Sequence, residues 1–234
     1  MNLVLLEPGE LDGTTAVVGG RRALHITGIH RAEVGKTLKV GVVGGRVGSG
    51  TVTAIDVHRV SLAVDLVADP PPPVPCTLVL ALPRPRVLHR VLGAAASIGI
   101  KRIVLFGSRR VEKSYWQSPV LAGDAVREQL LLGLEQAGDT VLPVVETHRL
   151  FRPFVEDVLG SIAGGSLALV ADAAAAVECP RADGRAVTLV VGPEGGLVDY
   201  ELELLRGQGF QAVTLGARPL RVEHAFVALL GRLF

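Results

Sequence analysis

Two short loops near the C-terminus carry residue types that suit ligand binding and group transfer. In the first, an apolar run leads into the sequence GPEGG at 192–196, whose adjacent glycines let backbone N–H groups approach a ligand without a side chain in the way. In the second loop, at 215–225, two arginines precede Glu223 and His224. Such a set could orient an anion, stabilise developing negative charge or accept a proton. The bland alternatives are an ordinary strand-to-helix turn and a solvated loop.

A third feature is a basic segment at 84–113. It holds eight Lys and Arg residues and one acid, Glu112, a local net charge of +7, with Tyr115 and Trp116 just beyond it. Cations beside aromatic rings suit phosphate neutralisation with base stacking, so the segment predicts nucleic-acid contact. A solvated helix face would explain some of these charges equally well.

Composition and missing motifs narrow the class of protein. The chain has 234 residues, 24 Lys+Arg against 23 Asp+Glu, 49% apolar and 20% charged residues, which predicts a folded protein. It has no G-x-G-x-x-G after a strand, no P-loop, no G-x-S-x-G and no H-E-x-x-H. Cys76 and Cys179 have no Cys or His at ligand spacing, so we expect neither a disulfide framework nor a metal site.

Mean hydropathy is high, at +0.43, but nothing in the sequence predicts a membrane protein. The longest uncharged stretches, 70–83 and 158–171, are broken by Pro or Gly and fall short of the roughly 20 apolar residues that a spanning helix needs. The first residues, MNLVLLE, have no basic leader, so a signal peptide is not expected. These features predict a soluble, cytoplasmic protein.

A proline-rich linker at 70–75 divides the chain into two regions, and the secondary-structure elements of each region must position the motifs. Before it, in 1–69, β-branched runs alternate with Gly-rich turns, which is typical of a small β-barrel or sandwich. A short segment at 25–31 is the one part there that we expect to be helical.

After the linker, in 76–234, apolar runs alternate with amphipathic stretches and predict a parallel sheet covered by helices. The strands are predicted at 77–82, 102–106, 141–145, 167–171, 188–191 and 212–215, and the helices at 86–97, 119–136, 154–162, 199–208 and 222–233. The loops at 192–196 and 215–225 then each follow a predicted strand, and Asp199 is predicted to cap the helix that follows the loop at 192–196. Ligands of such sheets lie beyond the carboxyl ends of the strands.

Taken together, the motifs resemble the RsmE family, methyltransferases that modify N3 of a uridine in small-subunit (16S) ribosomal RNA. The resemblance rests on GPEGG at 192–196 followed by Glu201, on the pattern LGxRxLRxExA at 215–225, and on PRPR at 83–86. It spans essentially the whole chain. It implies an α/β fold in which a SPOUT-type trefoil-knot domain follows a small PUA-like β-barrel domain that binds RNA. It also implies S-adenosylmethionine as cofactor, the small ribosomal subunit as partner, a homodimer, and no metal or membrane.

Roles for individual residues follow from the resemblance and from side-chain chemistry. For methyl transfer to uridine N3, the chemistry of the side chains themselves predicts that Arg221 stabilises charge on the base or orients it, and that Glu223 and His224 are candidate proton acceptors. The implied cofactor-binding residues are Val170, Asp172, Val191, Gly192, Glu194, Gly195, Gly196, Leu215, Gly216, Arg218 and Leu220. The charge of the basic segment and of the short segment at 25–31, and not the resemblance, predicts the RNA-binding residues, which are His25, Arg31, Arg84, Arg86, Arg90, Arg109, Arg110 and Lys113.

Two positions in the loop at 215–225 depart from the family pattern, since Pro219 replaces an isoleucine and His224 a threonine, and the segments at 97–99 and 136–139 and the start of the chain depart from it as well. Three alternatives therefore stay open at this point. The chain could be a SPOUT methyltransferase of another RNA such as transfer RNA, a catalytically inactive RNA-binding relative, or an α/β protein that binds a metabolite without RNA.

Overall fold

The computed structural model describes all 234 residues, and the chain divides into two compact units. The first comprises Met1–Pro72 with Ala96–Gly99 and Leu130–Leu142, and the second comprises Pro73–Ala95, Ile100–Gln129 and Pro143–Phe234. The first unit therefore includes two short segments that the sequence prediction placed with residues 76–234. None of the helices is both long enough and apolar enough to cross a bilayer.

The first unit is built on a six-stranded sheet in the order β1-β4-β5-β6-β3-β2. Only β1 and β4 pair in parallel, and β1 and β2 form the two edges with no ladder between them. Alternate residues such as Ala16 and Val18 are buried, as expected for a sheet with one face on a core. The strands are β1 (Val4–Leu6), β2 (Leu11–Asp12), β3 (Thr15–Gly19), β4 (Thr37–Val42), β5 (Val47–Ile55) and β6 (Arg59–Ala68).

A short helical segment covers this sheet. Helix α1 (Gly20–Leu24) continues into a π-helical turn at His25–Ile29, so the helix predicted at 25–31 starts five residues earlier than expected. Ile26 is fully buried in the core with Val60 and Leu62, which explains why the segment is held against the strands.

The second unit contains a six-stranded sheet in the order β12-β10-β11-β7-β8-β9, and every ladder is parallel. This confirms the predicted parallel sheet. All five residues of β11 are buried, so both faces of that strand are covered. The strands are β7 (Cys76–Ala81), β8 (Arg102–Phe106), β9 (Val144–His148), β10 (Leu167–Ala171), β11 (Val187–Val191) and β12 (Gln211–Val213).

Five of the helical stretches in the chain match those predicted after the linker. Phe154, Val155 and Leu205 pack with the strand residues Val79 and Val104 in one core. A π-helical turn, Phe154–Leu159, joins α4 to α5 in one continuous helical stretch. The helices are α2 (Pro85–Ile98), α3 (Gly123–Ala137), α4 (Phe151–Pro153), α5 (Gly160–Ala163), α6 (Asp199–Gly207) and α7 (Val222–Leu233).

Two element boundaries differ from the prediction for local reasons. Strand β9 begins at Val144 because Thr140 donates its hydroxyl to Gly45 O and accepts the Gly44 N–H, while Pro143 has no N–H for a ladder. The helix predicted from residue 119 begins at Gly123, because Pro119–Leu121 forms a separate 3-10 turn.

Both cysteines are buried and unpaired. Burial raises the pKa of the Cys76 thiol, at the start of β7, to about 12, and burial also raises the pKa of Cys179. The chain brings no three His, Cys, Asp or Glu residues together in a way that could hold a metal ion.

Candidate functional site

The carboxyl ends of three adjacent strands open onto one cavity. Strands β10, β11 and β12 end at Ala171, Val191 and Val213, and the loops that follow them surround a cavity of about 380 Å³. Neighbouring parallel strands place such loops side by side, which is the usual ligand position in an open α/β sheet. The two loops singled out in the sequence therefore face the same space.

All but one of the residues implied for cofactor binding line this cavity. They are Asp172, Val191, Gly192, Glu194, Gly195, Gly196, Leu215, Gly216, Arg218 and Leu220. The exception, Val170, is fully buried within β10. An apolar wall is formed by Leu202, Val222 and Leu229. The cavity therefore combines an apolar interior with charged side chains on its loops.

The turn at 192–196 has a backbone conformation and glycines that let other groups lie close to its main chain. Gly196 has a φ of +75°, a conformation that L side chains rarely adopt. A Cβ on Gly195 would lie 3.1 Å from Cδ of Arg110, and the Arg110 guanidinium donates a hydrogen bond to the Gly195 carbonyl oxygen. The turn therefore presents main chain on one side and is held by an arginine on the other.

A buried carboxylate supports the same turn. Glu201 is 2% exposed, and its Oε1 accepts the Arg109 N–H at 2.7 Å while its Oε2 accepts the Val198 N–H at 3.0 Å. Asp199 was expected to cap α6, but Asp199 is the first residue of the helix and Glu201 makes the capping contact. Glu201 thus connects the loop after β8 to the loop after β11.

A second, basic cavity of about 790 Å³ is lined by three of the eight predicted RNA-binding residues and by two of the three predicted reaction residues. Glu194 is the one residue that lines both cavities. A carboxylate therefore marks the place where the two cavities adjoin. The basic cavity is lined by Arg84, Pro85, Arg86, Val87, Arg90, Tyr115, Glu194, Arg221 and Glu223.

Hydrogen bonds fix two of the acidic groups in the basic cavity. The Arg84 N–H donates to Glu194 Oε1 at 3.0 Å, and Arg90 Nη2 donates to Glu223 Oε1 at 2.8 Å. A hydrogen bond from its own backbone N–H, and then the Arg90 guanidinium, lower the pKa of Glu223. A carboxylate with a lowered pKa is a weaker base, so Glu223 is poorly suited to accept a proton.

Tyr115 adds an aromatic ring to this cavity. Its hydroxyl donates to Glu112 Oε1 at 3.1 Å, and partial burial together with the Glu112 carboxylate raises the pKa of Tyr115. The phenol is neutral at pH 7 and can offer a flat face to a base. In the sequence, its position directly after the basic segment was the one available signal.

The remaining residues implied for function lie elsewhere in the second unit. His224 is exposed on α7 and lines neither cavity. Arg109 and Lys113 also line neither, whereas Arg110 lines the cavity at the ends of β10, β11 and β12 and not the basic one. Sequence reasoning assigned Arg110 to RNA because it could not tell on which side of the loop each of two adjacent arginines lies.

The two candidate RNA contacts in the first unit differ in character. His25 Nε2 lies 3.4 Å from the Met1 nitrogen, and its ring contacts that of His30 at 4.9 Å between centroids. Burial, followed by the positive charge of the Met1 amino group, lowers the pKa of His25, so this ring is neutral at pH 7. Arg31 is exposed and has a φ of +46°, unusual for a residue with a side chain.

Comparison with known proteins places these features in a family. A family model described as an RNA methyltransferase domain matches residues 70–234. Ribosomal RNA small subunit methyltransferase E of Treponema pallidum is 31% identical over 235 residues, which cover 97% of this chain and 88% of that protein. The Mycobacterium bovis protein of the same name is 28% identical over 231 residues, covering 94% and 86%.

A solved structure agrees at the level of the fold. The crystal structure of ribosomal RNA small subunit methyltransferase E from Neisseria gonorrhoeae, bound to S-adenosylmethionine, matches with a TM-score of 0.76 and 22% identity, covering 99% of this chain and 95% of that one. The same mixed α/β architecture is therefore present in both. From the matched domain, the relative in T. pallidum and this fold, the chain belongs to the RNA methyltransferase family, among the ribosomal RNA small subunit methyltransferase E proteins.

Proposed function

We propose that this protein transfers a methyl group from S-adenosylmethionine to N3 of a uridine in small-subunit ribosomal RNA. The observation that carries the proposal is the shared position of Glu194, which lines both the glycine-turn cavity and the basic cavity. A methyl donor in the first and a nucleotide in the second would meet there. The names of the relatives give methyl transfer and small-subunit ribosomal RNA, and the uridine N3 position is part of the proposal.

The glycine-turn cavity has the features that this cofactor needs. Its volume falls in the range of roughly 300–1,000 Å³ typical of small-molecule sites. The wall formed by Leu202, Val222 and Leu229 suits an adenine ring, and the turn at 192–196 offers main-chain groups to its edge. When bound, S-adenosylmethionine supplies a methyl group activated by a sulfonium centre.

The basic cavity suits a nucleotide taken out of its pairing. Because N3 lies on the Watson–Crick edge, the uridine must be unpaired to react. Arg84, Arg86 and Arg90 would bind the phosphates around it, and the Tyr115 ring would stack on the base.

Removal of the N3 proton is the chemical problem that the side chains must solve. Arg221 lines the basic cavity and would stabilise negative charge as it develops on the uracil carbonyl oxygens. Glu223 is engaged by Arg90 and His224 lies outside the cavity, so we assign proton acceptance to Glu194 at the junction. The role of Glu223 would be to hold Arg90 in place.

Several features of assembly belong to the same proposal. We propose that residues 1–69 form a PUA-like RNA-binding domain built on the open six-stranded sheet in place of the expected closed barrel, with candidate RNA contacts at His25 and Arg31, joined by 70–75 to a SPOUT domain at 76–234. A trefoil knot is supported by the backbone contacts of the loop after β10, where Cys179 N–H donates to Thr214 O and Ala182 N–H to Leu233 O. Exposed apolar residues at Leu220, Val227 and Phe234 support a homodimer. Ribosomal RNA as substrate would place the protein in the cytoplasm.

The decisive experiment is transfer of radiolabelled methyl groups from S-adenosylmethionine to undermethylated small ribosomal subunits and, in a parallel reaction, to transfer RNA, each followed by nucleoside analysis. Label in N3-methyluridine is expected, with strong loss in Arg221→Gln and little change in His224→Thr. Label in transfer RNA alone would favour the alternative substrate. Cofactor and RNA binding with no label in either RNA would favour an inactive RNA-binding relative.

A further inference from the structure

The side chain of Arg110 crosses the glycine turn of the cofactor cavity. Its aliphatic stem lies so near Gly195 that an added Cβ would be 3.1 Å from Cδ, and its Nη1 would be 3.7 Å from a Cβ on Gly196. Nη1 donates to the Gly195 carbonyl oxygen. The glycines and this arginine are therefore matched to one another in space.

The backbone beside Arg110 and the guanidinium of Arg110 are both fixed by hydrogen bonds, yet most of the guanidinium N–H donors make no bond within the chain. Its loop is fixed one residue earlier, where the Arg109 N–H donates to the buried Glu201 carboxylate. A guanidinium carries five N–H donors in a rigid fork. Only the bond to Gly195 is made within the chain, so a positioned, permanently charged group with free donors faces the cavity.

The orientation of S-adenosylmethionine in the cavity determines which of its groups would lie beside the Arg110 guanidinium. The reacting methyl must lie at the boundary of the two cavities, which Glu194 marks. In S-adenosylmethionine, three carbon atoms separate the sulfur from the carboxylate, so that carboxylate ends near the same boundary. Gly195 follows Glu194 in the chain, and its carbonyl oxygen accepts the hydrogen bond from the Arg110 guanidinium. Arg218, the other arginine of the lining, lies on the loop after β12.

We propose that Arg110 binds the α-carboxylate of the methionine part of the cofactor and so selects ligands that carry an amino-acid tail. This inference rests on the proposed function. Arginine forks recognise carboxylates with paired, charge-assisted hydrogen bonds, whereas an adenine site alone would not distinguish a nucleoside from its amino-acid conjugate.

The test compares two ligands that differ in the tail. S-adenosylhomocysteine carries the amino-acid group and 5′-methylthioadenosine lacks it, and calorimetry on the full chain measures the affinity of each. Arg110→Gln keeps an N–H donor for Gly195 and removes the charge. We expect it to weaken S-adenosylhomocysteine binding at least about tenfold and to leave methylthioadenosine binding unchanged. Arg206→Gln is the control, because it removes the same charge at an exposed position on α6 that lines neither cavity.

Other outcomes contradict the proposal in distinct ways. An equal loss for both ligands in Arg110→Gln would mean that the arginine only holds the turn. A selective loss in Arg218→Gln, with Arg110→Gln unaffected, would assign the carboxylate to the other cation. If the unmodified protein binds neither ligand, the methyltransferase function fails together with this inference.

Discussion

A single buried carboxylate does much to organise the site. Glu201 binds two main-chain amides that belong to different loops, one beside Arg110 and one before α6. A buried charge is costly unless its hydrogen-bonding capacity is used, and here both oxygens are occupied. The geometry of the glycine turn and of the arginine above it therefore depends on a residue that touches neither cavity.

Glu201→Ala should lower the free energy of unfolding by about 3 kcal/mol, because two amide donors lose a charged acceptor in a buried place. Urea unfolding measures the change. Glu203→Ala provides the control, since Glu203 is exposed on the same helix and its loss should cost less than about 0.5 kcal/mol. Equal unfolding midpoints for the two variants would contradict the supporting role of Glu201.

At the scale of single residues, sequence alone located most of the candidate site. Glycines and polar residues that follow apolar strands are visible without a structure, and seven of those expected to bind the cofactor line the cavity at the ends of β10, β11 and β12. Side-chain direction was not visible. Arg109 and Arg110 are adjacent and identical in type, yet Arg109 lines neither cavity and Arg110 bonds to Gly195.

Among the elements, α2 and α7 are joined by one ion pair. Arg90 of α2 donates to Glu223, which lies in the first turn of α7. A carboxylate there also interacts favourably with the helix dipole. The pair holds two walls of the basic cavity at a fixed separation.

The lowered pKa of Glu223 makes this link pH-dependent. A carboxyl group whose pKa is lower in the folded protein adds stability above its unfolded pKa of 4.5, and this stability is lost as the pH falls through the folded value. The stability of the unmodified protein should therefore exceed that of Glu223→Gln at pH 7 and converge with it below about pH 4.5. Thermal unfolding across pH 3–7 measures this. A constant difference over that range would contradict the assignment.

Element type was predictable where local pattern and tertiary packing agree. Continuous apolar runs identified every strand of the parallel sheet. Boundaries failed where a residue found another partner, as at Thr140, whose bonds to Gly44 and Gly45 keep 139–142 out of β9. The short strand β1 was missed, since three residues carry too little periodicity to indicate a strand.

For the molecule as a whole, the basic segment of the sequence is not a single patch. Arg84 follows β7 and lines the basic cavity, whereas Arg102 starts β8 and pairs with Glu146 at 2.8 Å. Parallel strands send these residues to opposite ends of the sheet. A local charge of +7 along the chain therefore overstates the charge that an RNA would meet in one place.

Charge reversal should separate binding cations from bystanders. Arg84→Glu with Arg86→Glu should weaken RNA binding and flatten the dependence of log K on log salt by about 1.4, since each lost phosphate contact on a single strand removes about 0.7. Arg181→Glu with Arg206→Glu changes the net charge equally at exposed positions outside both cavities. Filter binding across a salt series compares the pairs. Equal slopes would remove this role from Arg84 and Arg86.

The reactivity of the two buried thiols, Cys76 and Cys179, reports how often the parts of the protein around them open to solvent. A thiol of raised pKa and no solvent access reacts with disulfide reagents only during transient exposure. Cys76 lies in the central sheet, while the Cys179 N–H binds Thr214 in the segment that borders the cofactor cavity.

The rates of modification at these thiols should consequently report two different motions. Cys179 should react through loop excursions and be slowed by S-adenosylhomocysteine, whereas Cys76 should react at the slower rate of global unfolding. Single variants, Cys76→Ser and Cys179→Ser, resolve the two rates with Ellman's reagent. Identical rates, equally slowed by ligand, would mean that the loop never opens unless the sheet does, and that cofactor entry is coupled to the opening of the whole unit.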